Sequence, residues 1–193
     1  VEKINSKLYL GLVHYPINNK RGNTVTTSVT NMDIHDIARS CKSFGVEKYF
    51  IITPLKIQHE LVSRILGHWE EDKAAAYNPD RQNALSVAQL SFSVEEAIAA
   101  ISVANGGTPP IVVVTGANFS SFDGAASDLR QKMEIDKGPY LLLFGTGWGL
   151  HASLINQADY RLRPITGPVS DNYNHLSVRS AVAIYLDRLR GGL

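Results

Sequence analysis

Three glycines at alternate positions, Gly145, Gly147 and Gly149, close the apolar run Tyr140–Phe144 and enclose Thr146 and Trp148. Glycines at this density let a backbone take positive φ and come within contact distance of a ligand. The Leu-Leu-Leu-Phe run ahead of them has the composition of a strand buried on both faces. The motif therefore reads as a strand delivering a ligand-binding loop. A tight turn without a ligand is the alternative, but three glycines plus Trp148 exceed what a turn needs. Metal chemistry is not expected. His59-Glu60 begins like a zinc-protease helix, but Ser63 stands where the second histidine belongs. The other histidines have no ligand spacing. Cys41, the single cysteine, excludes an internal disulfide and fits a reducing compartment, so a cytoplasmic location is expected.

Three familiar glycine loops do not fit. A P-loop carries Lys-Ser/Thr after its last glycine, whereas Leu150-His151 stands here. A dinucleotide-binding loop is Gly-x-Gly-x-x-Gly after the first strand. Here the spacing is Gly-x-Gly-x-Gly and the strand comes late. The loop of the common methyltransferase class has an acid two residues before its first glycine, where this chain has Leu143, and several βα units follow it. Only His151–Leu193 remains here.

The elements that must position this loop alternate along the chain. Strands are expected at Leu8–His14, Tyr49–Thr53, Val87–Phe92, Ile111–Thr115, Tyr140–Phe144 and Tyr160–Leu162. A polar loop, Tyr15–Thr30, precedes a helix capped by Asn31 or Asp33 and closed by Gly45. Further helices are expected over Lys56–Glu71, from the Ser93/Glu96 capping box to before Gly106-Gly107, from after Asp123 to about Glu134, over His151–Gln157 and over Leu176–Arg190. Asn78-Pro79 marks a break across Ala74–Arg81. Continuous aliphatic strands between helices imply an α/β fold with a mostly parallel sheet. At 193 residues, 44% apolar and 19% charged, the chain suits one globular domain. No apolar run approaches the roughly 20 residues of a membrane span, so no membrane partner is expected. The formal net charge of +1 means that nucleic-acid contact would need a local basic patch.

A late glycine loop followed by Asn174-His175-Leu176-Ser177-Val178-Arg179-Ser180-Ala181 resembles the SPOUT superfamily of RNA methyltransferases. Asn31-Met32-Asp33-Ile34-His35-Asp36-Ile37-Ala38-Arg39-Ser40, followed by Phe44-Gly45-Val46, is similar to that family's first motif. Val114-Thr115-Gly116-Ala117 is similar to its strand-end loop. Within the family, the chain looks most like a small bacterial group near the tRNA (guanine-N1) methyltransferases, sometimes fused to that enzyme. The resemblance implies a Rossmann-like, mostly parallel sheet with helices on both faces. It also implies a C-terminal deep trefoil knot over about residues 111–193 of a single domain spanning 1–193. The implied cofactor is S-adenosylmethionine, the implied substrate tRNA or rRNA, and the implied assembly a homodimer with its sites at the interface. A non-catalytic accessory domain that binds the cofactor or RNA is the alternative.

The resemblance assigns the cofactor to three loops, carried by Thr115, Gly116 and Ala117; by Phe144, Gly145, Thr146, Gly147, Trp148, Gly149 and Leu150; and by Ile165, Gly167, Asn174, His175, Leu176 and Ser177. Backbone groups of Gly145, Gly147 and Ile165 would read the adenine and ribose edges, with Leu150, Ile165 and Leu176 around the ring. Asn174 or Ser177 is alternatively the cap of the last helix. Arg39 matches the family's helix arginine and is the first catalytic candidate, with a surface ion pair to Asp36 or Glu47 as the other reading. Asp171 is the second, as proton acceptor from a base nitrogen, unless it only caps the helix. Asp33, where ribose methyltransferases usually have asparagine, and Trp148, where they often have a charge, depart from the 2′-O pattern. Arg81 and Arg179 are the RNA-contact candidates. Arg179 opposes the dipole of the last helix, which calls for a partner on RNA or across an interface. Lys20, Arg21, Arg64, Arg161, Arg163, Arg188 and Arg190 are the remaining cations available for phosphate.

Overall fold

A computed structural model describes residues 6–71, 76–171 and 173–192. The strands are β1 (Leu8–Val13), β2 (Ile17–Asn18), β3 (Thr24–Val25), β4 (Tyr49–Ile52), β5 (Ala88–Ser91), β6 (Ile111–Val114), β7 (Tyr140–Gly145) and β8 (Tyr160–Arg161). The helices are α1 (Asn31–Ser43), α2 (Lys56–Glu70), α3 (Pro79–Leu85), α4 (Val94–Ala104), α5 (Ala126–Ile135), α6 (Ala152–Gln157) and α7 (Val178–Arg190). Six strands form one sheet in the order β5-β4-β1-β7-β6-β8, every pairing parallel.

The expected α/β architecture is observed, and the aliphatic strands explain it. In β1, Leu8, Leu10 and Leu12 enter one core with α1, α5 and α7, while Tyr9 and Val13 enter a second core with α4 and α6. In β4, Tyr49 and Ile51 face the first core, Phe50 and Ile52 the second; β7 divides Tyr140, Leu142 and Phe144 from Leu141 and Leu143 in the same way. Side chains alternate between faces, so a strand apolar at every position requires cover on both.

Local differences from expectation have identifiable causes. Thr30, not Asn31 or Asp33, caps α1, its hydroxyl accepting from the Asp33 amide at 3.2 Å. The Asn78-Pro79 break starts a helix, α3. The Asn78 side chain accepts from Arg81 N at 3.0 Å, and Pro79 takes the first helical position, where a missing N–H costs nothing. Part of the expected break, residues 74 and 75, lies outside the described residues. The polar loop after β1 contains the antiparallel β2–β3 hairpin.

Candidate functional site

All six strands run the same way, so the loops after β6, β7 and β8 emerge at one edge of the sheet. β1 and β7 are neighbours, yet the chain leaves β1 toward β4 and β5 and returns to β7 by way of β6. Parallel α/β sheets bind ligands at such a reversal, outside the carboxyl ends of the strands. The three loops assigned from sequence lie at this edge.

The glycine loop folds back on itself. A Cβ on Gly145 would lie 2.6 Å from the Leu150 nitrogen, and Gly147 and Gly149 have φ of 56° and 96°. Much of this geometry serves a protein partner that sequence reasoning missed, the β2–β3 hairpin. Asn18 N donates to Gly149 O at 3.0 Å, Trp148 N to Asn18 O at 3.2 Å and His151 N to Pro16 O at 3.2 Å. The Asn18 side-chain amide adds a bond to Leu150 O at 3.1 Å. The signal in the sequence was slight, a short apolar-polar alternation within a Thr/Asn-rich loop. Among the described residues, the Gly147 backbone makes no hydrogen bond to the rest of the chain, and Gly147 is exposed, so its amide and carbonyl are open to a ligand.

Beneath the loop, Thr146 Oγ1 donates to Val13 O at 3.1 Å and lies 2.5 Å from Thr27 Oγ1, which in turn lies 3.1 Å from His14 Nδ1. His14 is fully buried, its Nε2 has no hydrogen-bond partner among the described residues, and burial pulls its pKa down to about 4. It is therefore neutral at pH 7 and fastens the end of β1 to the hairpin.

The first and third loops are joined. Asn174 Nδ2 donates to Ala117 O at 3.0 Å, while Ser177 caps α7 by accepting from Ser180 N at 3.2 Å. The two residues given the same choice of roles thus divide them. Thr115 turns its hydroxyl back to Leu143 O at 2.9 Å, and a Cβ on Gly116 would lie 2.6 Å from the Phe119 ring. Gly167, His175 and Leu176 are exposed, as are Trp148 and Tyr173, whose ring lies 6.3 Å from that of His175.

Several side chains differ from their expected roles. Phe144 is buried against Tyr185, with ring centroids 6.0 Å apart, so only its backbone is available to a cofactor. Leu150 is buried in the α4/α6 core and Ile165 packs on the opposite core, so these two do not clamp a ring between them. Arg179 has partners in its own chain: its guanidinium donates to Asp33 Oδ1 at 2.7 Å and lies 3.5 Å from Asp36 Oδ2. Two acids one turn apart on α1 thus supply, within the chain, the partner that the unfavourable dipole position calls for. Asp33, buried, also accepts from Thr30 Oγ1 at 2.5 Å. Arg81 has its guanidinium 4.9 Å from the Trp69 ring centroid in a cation–π contact. Arg39 is exposed, and among the described residues no carboxylate lies within 4.0 Å of it, so the ion pair to Asp36 or Glu47 is not formed. Asp171 is exposed and accepts from Tyr173 N at 3.1 Å; it does not cap α7.

Among the described residues no cluster of His, Cys, Asp and Glu could hold a metal, and no helix is long and apolar enough to cross a membrane. A concavity of about 790 Å³ lies along α2 from Ile57 to Arg64, away from the three loops. The loop edge offers open backbone at Gly147 and exposed aromatic surface at Trp148 and Tyr173. That combination fits a nucleoside-bearing cofactor such as S-adenosylmethionine.

Residues 7–191 match the model of a family described as SAM-dependent RNA methyltransferase. A tRNA (guanine-N(1)-)-methyltransferase of Oleidesulfovibrio alaskensis is 41% identical over 192 residues, covering 98% of this chain and 43% of that protein. Its counterpart in Nitratidesulfovibrio vulgaris is 41% identical over 184 residues, again with 42% of the relative covered. The chain thus spans under half the length of these curated relatives. An uncharacterised protein of Aquifex aeolicus is 37% identical over 186 residues and is covered to 89%. Among solved structures, a probable methyltransferase of Bordetella pertussis Tohama I superposes with a TM-score of 0.64 at 15% identity, over 97% of this chain and 96% of that one. The SpoU methyltransferase AviRb of Streptomyces viridochromogenes, solved with AdoMet, superposes with a TM-score of 0.55 at 19% identity, over 98% of this chain and 58% of that one. At these identities the structural likeness speaks for the fold alone.

Proposed function

The chain belongs to the SAM-dependent RNA methyltransferases, and on that premise we propose that it methylates tRNA or rRNA through the three loops at the carboxyl edge of its sheet. The observation that carries the placement is the Asn174–Ala117 bond, which draws the first and third loops together beside the glycine loop. Bound there, S-adenosylmethionine supplies an activated methyl group. The protein must then hold the cofactor, orient the acceptor and take up a proton. Thr115–Ala117, the backbone of Phe144–Leu150 with Trp148, and the stretch from Ile165 and Gly167 through Asn174, His175, Leu176 and Ser177 are the proposed cofactor shell. Arg39, exposed and free of a carboxylate among the described residues, is proposed to position or stabilise the acceptor. Asp171 is proposed as the proton acceptor.

We read residues 1–193 as one domain and about 111–193 as a deep trefoil knot. In support, Leu162 pairs with Gly124 and Asn174 reaches Ala117, so the C-terminal segment lies against the loop after β6. The homodimer is proposed with its sites at the interface. Met32 and Leu176, 59% and 44% exposed, are apolar surface available for it. A cytoplasmic protein is consistent with Cys41 as a buried free thiol. The curated relatives support tRNA over rRNA.

Calorimetry with S-adenosylmethionine and S-adenosylhomocysteine is the first test, and lack of binding by either would refute the cofactor shell. Tritiated methyl transfer to bulk tRNA and rRNA is the second. Arg39→Ala and Asp171→Ala are expected to lower incorporation at least 100-fold, roughly the scale of a general acid–base contribution. Incorporation indifferent to both substitutions would remove them from the mechanism. Light scattering that shows a monomer at micromolar concentration would contradict the dimer.

A further inference from the structure

A second hollow, of about 290 Å³, is lined by Ala125, Ala126, Arg163, Pro164, Thr166 and Arg188. It joins the entry to α5, the stretch after β8 and the last turn of α7. Its lining holds two arginines and no acid. Both arginines are exposed, and among the described residues neither has a carboxylate within 4.0 Å. The other arginines of α5 and α7 are occupied. Arg130 contacts Glu134 at 3.4 Å and donates to Gly191 O at 2.9 Å, Arg179 is paired with Asp33, and Arg190 donates to the Ser6 carbonyl.

Arg163 is held firmly. Its amide donates to Gly124 O at 2.9 Å, its carbonyl accepts from Tyr185 Oη at 2.7 Å, and its guanidinium lies 5.4 Å from the Phe122 ring centroid. Local explanations exist for each cation alone: Arg188 complements the C-terminal dipole of α7, and Arg163 covers Phe122. Each is a weak interaction at an exposed site and leaves N–H edges free. Neither explains why two like charges line one hollow, an arrangement that repels until an anion enters it. Two planar guanidiniums and the Thr166 hydroxyl form a donor set suited to the tetrahedral oxygens of a phosphate.

We propose that this hollow binds a backbone phosphate of the RNA substrate. The proposal rests on the RNA methyltransferase reading above. Phe122, 44% exposed beside Arg163, gives an adjoining base a surface on which to stack. The hollow shares Pro164 and Thr166 with the start of the third loop, so a phosphate seated there fixes the RNA relative to the methyl-transfer edge.

The test is fluorescence anisotropy of the full chain with bulk tRNA and with a labelled 20-nucleotide single-stranded RNA, over roughly 50–200 mM salt. Arg188→Gln and the Arg163→Gln/Arg188→Gln pair are compared with the wild type. The expected result is about tenfold weaker binding for the double variant, with the log–log salt slope smaller by about 0.7–0.9, one phosphate contact. Cofactor affinity and melting temperature should be unchanged for Arg188→Gln, an exposed helix position. Wild-type affinity and slope in both variants would overturn the site while leaving the methyltransferase reading intact. A wild-type chain that binds neither RNA would overturn the proposal through its premise. Micromolar calorimetric binding of inorganic phosphate, abolished in the double variant, would assign the hollow to free phosphate and overturn the RNA assignment.

Discussion

Replacing Arg179 with alanine leaves the Asp33 carboxylate in place without its cation. The two side chains differ in access to water: Asp33 is 7% exposed and Arg179 29%. Removing one member of a fully buried pair costs about 3–5 kcal/mol, and a fully exposed pair contributes about 0–1 kcal/mol. Partial solvation of the guanidinium, and the bond Asp33 keeps to Thr30 at 2.5 Å, place Arg179→Ala between these limits, at about 2 kcal/mol. Asp36→Ala should cost under about 0.5 kcal/mol, because that carboxylate is 51% exposed and 3.5 Å away. Urea unfolding at fixed protein concentration is the assay, since the stability of the proposed dimer would depend on concentration. With an m-value of about 2 kcal/mol/M, the Arg179→Ala midpoint should fall by about 1 M. A double-mutant cycle with Asp33→Ala should give a coupling of at least about 1 kcal/mol. A coupling under about 0.3 kcal/mol, or an Arg179→Ala midpoint equal to wild type, would show that the pair does not tie α7 to α1.

Gly145→Ala must displace backbone, because its Cβ would lie 2.6 Å from Leu150 N; it should cost about 1–3 kcal/mol and weaken cofactor binding measured by calorimetry. Gly149→Ala meets no atom within 4 Å but keeps a φ of 96°, so a smaller loss of about 1 kcal/mol, from backbone strain alone, is expected in the same unfolding assay. His14 titrates near 4 when folded and near 6.5 when unfolded, so the unfolded chain binds the extra proton between those values. Stability should therefore decline as pH falls from about 6.5 to 4, by about 3 kcal/mol in total, and His14→Gln should flatten that part of the pH–stability curve. Asn174→Ala removes the bond to Ala117 while leaving the Ser177 cap, so cofactor affinity should drop about fivefold with little change in melting temperature.

The covered strands, the order of most elements and the three loops could be read from the chain because each depends on neighbours in sequence. Leu141-Leu142-Leu143 has to be buried on both sides wherever it sits, and Gly145, Gly147 and Gly149 impose a folded-back loop wherever their strand ends. Asn78-Pro79 misled because the same pair serves a break or a helix start, and only the residues that follow distinguish them.

Side-chain roles were less legible. Arg179 faces an unfavourable dipole, which implies a partner, but Asp33 stands 146 residues earlier and nothing local connects them. The same holds for Asn18 against Gly149 and Leu150, and for Arg163 beside Arg188. The sequence alone determined which backbone segments can be strand, helix or close-approach loop, through side-chain periodicity and φ preferences that act over a few residues. The tertiary structure decided which charges are spent on each other and which remain open, because that depends on distances set by the parallel sheet order and not by separation along the chain.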